Sequence, residues 1–94
     1  MEPVIFSVSE VNRAIKQFIE GTQTFKNIFI QGELSNITYY KSGHLYFTLK
    51  DDRASVKCAI FKYTFKNIPS DLKEGDQVKI MGSATIYEAN GSYQ

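Results

Sequence analysis

The sequence predicts a small, mainly β fold: a five-stranded Greek-key barrel with its last strand truncated, preceded by one α-helix. Three observations carry that expectation. From Lys26 onward, apolar and polar residues alternate in runs of strand length. Glycines interrupt the first and fourth of these runs, and only the stretch from Val8 to Ile19 has the three- and four-residue spacing of a helix. A long strand bent at a glycine is what a small barrel needs to turn its corners.

The helix is announced by Ser7-Val8-Ser9-Glu10, a capping box in which the Ser7 hydroxyl accepts from the Glu10 amide while the Glu10 carboxylate reaches back. Val8, Val11, Ile15, Phe18 and Ile19 then mark one face, and Gly21 stands where a helix would stop. A helix over 8–20 follows. Its apolar stripe is expected to dock on the barrel or on a neighbouring domain, with 1–24 as the helical part and 25–94 as the barrel. The polar face, with Asn12, Arg13, Lys16, Gln17 and Glu20, shows no site chemistry.

The first strand alternates Ile28 and Ile30 against Phe29 and Gln31, with a bend expected at Gly32. Ser42 to Asp51 gives the second strand, with Leu45, Phe47 and Leu49 on one side and His44, Tyr46, Thr48 and Lys50 on the other. Asp51 to Ala54 is a polar turn of hairpin length. The third strand is expected over 55–63. There Val56, Cys58 and Ile60 face the core, and Lys57, Ala59, Phe61 and Tyr63 face outward. Thr64 to Lys73, which includes Phe65, Ile68 and Leu72, reads as a short helix or irregular connection, followed by a turn at Glu74-Gly75-Asp76. Val78, Ile80, Gly82, Ala84 and Ile86 form a fourth strand bent at Gly82, and Asn90-Gly91 is a hairpin signal before a strand that begins at Ser92. The expectation is a piece of a longer protein, cut just inside its last strand.

Ninety-four residues make one domain, which buries roughly 60–65% of its unfolded surface. A single cysteine excludes an internal disulfide, and one His with one Cys makes no metal-ligand cluster. No metal or other cofactor is expected. The short apolar run from Val4 to Phe6 is no signal peptide, no stretch reaches membrane length, and a reducing cytoplasm is the expected compartment. The net charge of +1 conceals an uneven distribution. Between Lys41 and Lys66 six basic residues meet two acidic ones, for +4, whereas the remainder carries five and eight, for −3. Such a basic segment attracts a polyanion.

Strand, strand, strand, connection, strand and a fifth strand describe an oligonucleotide/oligosaccharide-binding barrel, the OB-fold, which binds across strands two and three between its first and last hairpin loops. That rule selects Asn36, Tyr39, Tyr40 and Lys41 in the first loop, and His44, Tyr46 and Thr48 on the second strand. It adds Lys57, Phe61 and Tyr63 on the third, and Tyr87 with Tyr93 at the last hairpin. Rings interleaved with lysines suit single-stranded nucleic acid, because every base has a face to stack and lysine neutralises phosphate. Each ring has packing in the fold as its competing role. His44 lacks a nucleophile or acid to work with, so strand contact outweighs catalysis. Asp51 and Asp52 are better explained by the turn than by a magnesium ion. An OB-type module for RNA or a protein partner is the alternative, and a self-contained metal nuclease is the weakest reading.

Several stretches resemble the N-terminal domain of the bacterial exodeoxyribonuclease VII large subunit. They are Phe6 to Ala14, Gln31-Gly32-Glu33-Leu34-Ser35-Asn36, Ser42 to Asp51, Val56 to Phe61, Gly75-Asp76-Gln77-Val78 and Gly91-Ser92-Tyr93-Gln94. The resemblance spans nearly the whole chain and rests on several motifs in order. It implies a hydrolase of one large and several small subunits that degrades single-stranded DNA from either end to oligonucleotides. In that family the OB-fold domain holds the strand, while the catalytic domain and the small-subunit-binding region lie downstream, beyond Gln94. This segment is therefore expected to bind single-stranded DNA and not to cut it. An unfilled sheet edge is expected to permit self-association.

Overall fold

Leu45, Phe47 and Leu49 are buried and Tyr46 and Lys50 exposed, the period-two burial of a strand with one face on a core. This strand sits inside a computed structural model that describes residues 3–63, 66, 68, 69 and 71–94. The elements in chain order are α1 (Val8–Gly21), β1 (Ile28–Tyr39), β2 (Leu45–Lys50), β3 (Ser55–Ile60), β4 (Gln77–Gly82), β5 (Ile86–Tyr87) and β6 (Ser92–Tyr93). They make two units: Met1–Ile28 with Gly82–Gln94, and Phe29–Met81.

In the second unit, β1 to β4 form one sheet in the order β3-β2-β1-β4, with β1–β2 and β2–β3 antiparallel. Leu34, Leu45, Phe47 and Leu49 are its buried centre, each worth about 1.5–3 kcal/mol of burial. Ile30, Val56, Cys58, Ile60, Val78 and Ile80 pack around them. Burial pushes the Cys58 thiol pKa up, and a backbone hydrogen bond from Leu49 partly offsets this. Ile68 and Leu72 of the β3–β4 connection also pack on this core. The stretch expected to hold a short helix or an irregular connection includes Thr64, Phe65, Asn67 and Ser70, which lie outside the described residues.

Gly32 and Gly82, expected to play the same part, do not. A methyl on Gly32 would lie 2.9 Å from both Leu49 Cγ and the Lys50 carbonyl, so the glycine there permits a close approach of β1 to β2. A methyl on Gly82 would meet nothing within 4 Å. The irregularity in β1 falls later: Ser35 pairs with Thr48 but Thr38 pairs with Tyr46, so Asn36 and Ile37 together oppose Phe47 alone. Asn36 takes the left-handed conformation (φ 54°) at this bulge, one that asparagine tolerates better than most residues.

The hairpins follow their turn chemistry. Between β1 and β2 the Gly43 amide donates to the Tyr40 carbonyl, and Gly43 adopts φ 89°. Between β2 and β3 the Asp51 carboxylate accepts from the amides of Arg53 (2.8 Å) and Ala54 (2.9 Å). These two bonds hold its pKa below the usual aspartate value.

In the first unit, both arms of the capping box are present at 3.1 Å. The fourth strand ends at Gly82 instead of running on to Ile86. Beyond it, the Ser83 hydroxyl accepts from the Asn27 amide and the Ala84 amide donates to the Phe25 carbonyl. Ile86 and Tyr87 pair instead with Tyr93 and Ser92, in a separate two-stranded sheet around the Asn90-Gly91 turn. Polar groups link this hairpin to α1, and Ile86 of β5 is buried. Asn12 Nδ2 donates to the Glu88 carbonyl (2.9 Å), Lys16 Nζ lies 3.4 Å from the Glu88 carboxylate, and the Thr85 hydroxyl donates to Glu20 (2.7 Å). Of the apolar stripe, Ile19 is half-buried, whereas Val8 and Phe18 are 77% and 82% exposed.

Candidate nucleic-acid interface

Directly opposed residues of an antiparallel pair share a face, so the register of β2 with β3 settles what lies beside what. On the outer face Tyr46 opposes Ala59, and Thr48 opposes Lys57. Ala59 is too small to cover the Tyr46 ring, which remains 38% exposed. The β1 bulge adds a third member. Asn36 Nδ2 donates to Thr48 Oγ1 (3.3 Å), which leaves the Thr48 hydroxyl proton for another acceptor. Asn36, Thr48 and Lys57 thus form a polar row across three strands.

Beside this row runs a chain of rings. Tyr40 meets Tyr46 with centroids 5.2 Å apart, Tyr46 meets Phe61 at 6.3 Å, and Phe61 meets His44 at 5.1 Å, all edge to face. Tyr40 and Phe61 remain 51% and 50% exposed. His44 is fixed at both ends. Its carbonyl accepts from the Tyr40 amide (2.9 Å), and Nδ1 accepts from the Lys62 amide (3.2 Å), which places the proton of the neutral ring on Nε2. Lys66 Nζ donates to the Phe61 carbonyl. Lys41 at the hairpin tip and Lys57 are exposed. Lys50, by contrast, sits 3.6 Å from Glu33, an exposed pair worth about 0–1 kcal/mol.

Eight of the expected residues therefore fall together: Asn36, Tyr40, Lys41, His44, Tyr46, Thr48, Lys57 and Phe61. Tyr39 and Tyr63 part from them. Asn36 and Tyr39 lie within β1, not in the first loop, and Tyr39 opposes the buried Leu45, which turns it to the inner face. β3 stops at Ile60, and Lys62 takes φ 53°, so the expected alternation fails and Tyr63 packs on the core. The two rings meet edge to face at 5.2 Å. Tyr87 and Tyr93 are exposed on the β5–β6 hairpin of the first unit. Two neighbours escaped the sequence reading: Thr38, which the bulge turns outward opposite Tyr46, and Lys62, whose amide braces His44. Neither a bulge nor a left-handed lysine has a residue-level signature. Among the described residues no three His, Cys, Asp or Glu side chains cluster as metal ligands.

Residues 6–94 match the family model described as OB-fold nucleic acid binding domain. The chain belongs to that family. The OB-fold domain is also similar to curated proteins named exodeoxyribonuclease 7 large subunit. That of Fusobacterium nucleatum is 56% identical over 90 residues, 96% of this chain and 22% of the relative. Those of Leptospira interrogans and Helicobacter hepaticus are each 46% identical, over 93% of this chain and 21% and 20% of the relatives. The OB-fold domain thus spans about a fifth of the length of these relatives. Among the described residues no helix is long and apolar enough to cross a membrane.

Proposed function

We propose that the outer face of β2 and β3 binds single-stranded DNA on behalf of a cytoplasmic exodeoxyribonuclease VII, whose catalytic and small-subunit-binding parts belong to the rest of the large subunit. The observation that carries this reading is the row of exposed, mutually braced rings, Tyr40, Tyr46 and Phe61, beside Lys41 and Lys57. Each stacked base gains about 1–3 kcal/mol, and each lysine that meets a phosphate releases a counterion. Strand two and strand three form the usual ligand face of this fold. His44 Nε2, the Thr48 hydroxyl and the Asn36 amide supply polar contacts to backbone or base.

The segment holds the strand and does not cut it. The holoenzyme degrades single-stranded DNA from both ends to oligonucleotides. In the four-stranded sheet β3 and β4 are the outer strands, and self-association pairs one of these edges with another chain. Fluorescence anisotropy with a labelled single-stranded oligonucleotide tests the reading: affinity falls steeply as salt rises. Salt-independent binding, or none, counts against it. Preference for RNA assigns the face to RNA instead, and cleavage of the labelled strand by this segment overturns the non-catalytic role.

A further inference from the structure

We infer that Glu74, in the turn before β4, is a positioning residue of the outer face: its carboxylate holds the β1 bulge and so sets which β1 side chains stand beside Tyr46 and Thr48. The role rests on that face holding the strand, as proposed above. Without the bulge, alternation beyond Ser35 would turn Asn36 and Thr38 inward, and Ile37 and Tyr39 outward. With Asn36 and Ile37 both opposite Phe47, Ile37 packs on the core, Thr38 stands opposite Tyr46, and the Asn36 amide reaches Thr48.

A bulge needs a partner for the backbone group it takes out of the ladder. Here the Ile37 amide donates to Glu74 Oε1 at 3.2 Å. The turn delivers the carboxylate to that place. The Gly75 amide donates to the Leu34 carbonyl and the Leu34 amide to the Asp76 carbonyl, both at 2.9 Å, which ties the turn to β1 just before the bulge. Inside the turn, the Asp76 amide donates to the Lys73 carbonyl (3.1 Å), the Lys73 amide donates to the Asp76 carboxylate (2.9 Å), and Gly75 takes φ 87°. No ion pair among the described residues engages Glu74, which leaves its carboxylate to the bulge amide.

Charge makes the role testable. Exposed charges act on one another over roughly 8–10 Å at ordinary salt. As a charge alone, a carboxylate bonded to the residue beside Asn36 repels phosphate, and its removal tightens strand binding. As the brace of the bulge, its removal weakens binding. The two roles have opposite signs.

The test uses the 15N-labelled 94-residue chain with Glu74→Ala and Glu74→Gln, each also combined with Asn36→Ala. Glutamine loses the charge but keeps an oxygen that accepts from the Ile37 amide. In Glu74→Ala the Ile37 amide proton is expected to move upfield, with the Asn36 and Thr38 amides shifting beside it. Affinity for a labelled single-stranded oligonucleotide is expected to fall about three- to tenfold, the scale of one polar contact. Glu74→Gln is expected to keep the Ile37 signal near its parent position, with affinity equal to or above the parent's. With Asn36→Ala already present, Glu74→Ala is expected to change affinity by less than about twofold. Tighter binding by Glu74→Ala, an unmoved Ile37 amide, failure of glutamine to restore affinity, or an equal loss in the Asn36→Ala background overturns the inference. Absence of strand binding by the parent counts against the proposed function alone, and the Asn36, Ile37 and Thr38 signals then decide whether Glu74 holds the bulge.

Discussion

Gly32→Ala is expected to destabilise the domain, and the contacts around Gly32 set the size of the effect. The new methyl would lie 2.9 Å from Leu49 Cγ, 3.2 Å from Leu49 Cδ1 and 2.9 Å from the Lys50 carbonyl oxygen. Leu49 is a buried core residue, and the carbonyl belongs to a paired strand, so neither neighbour yields cheaply. Overpacking of this kind costs about 1–3 kcal/mol. Losing a glycine returns about 0.4–1 kcal/mol through the unfolded chain. The mid-values of these ranges leave a net loss of about 1.3 kcal/mol, or a fall in Tm of roughly 5–10 °C for a domain of this size. Gly82→Ala meets nothing within 4 Å and is expected to leave Tm unchanged or raise it. Thermal and urea melts followed by circular dichroism read both variants. A Gly32→Ala domain as stable as the parent would refute the close approach of β1 and β2.

Three further outcomes are expected. Tyr46→Ala and Phe61→Ala each weaken single-stranded DNA binding by about 1–3 kcal/mol in anisotropy titrations, and the double variant is non-additive because the rings touch. Lys57→Ala and Lys41→Ala each reduce the slope of log affinity against log salt by about 0.7, whereas Lys50→Ala, already paired with Glu33, reduces it less. The Asp51 carboxylate is held below its ordinary value of 3.8 by the Arg53 and Ala54 amides, so the unfolded chain takes up its proton more readily and stability rises with pH across that window. Its contribution is fully present above that value and lost as pH falls through the lowered one. The Tm gap between the parent and Asp51→Ala therefore narrows on acidification.

What the sequence made legible was local. The capping box at Ser7, the alternation of β2, and the turns at Asp51 and Asn90 are written in residues that the geometry requires at those places. Seven of the eight residues that fall together followed from alternation on β2 and β3 and from the first hairpin, whereas Asn36, expected in that hairpin, stands on β1. What escaped was set by partners distant in sequence. The bulge at Asn36 exists because two residues of β1 oppose Phe47, and nothing in Asn-Ile itself demands it. Lys62 in the left-handed region ends the alternation and turns Tyr63 inward, although lysine gives no hint of that conformation. The contact of α1 with the β5–β6 hairpin joins Asn12 to Glu88, 76 residues away, and no local pattern announces that pairing.

The outer face of β2 and β3 as the strand-binding surface is tested most directly by chemical-shift mapping of the isotope-labelled domain during titration with single-stranded DNA. The largest shifts are expected at His44, Tyr46, Thr48, Lys57 and Phe61, with Tyr39 and Tyr63 on the inner face little changed. Shifts centred on Tyr39 and Tyr63, or confined to the β5–β6 hairpin, would contradict that assignment.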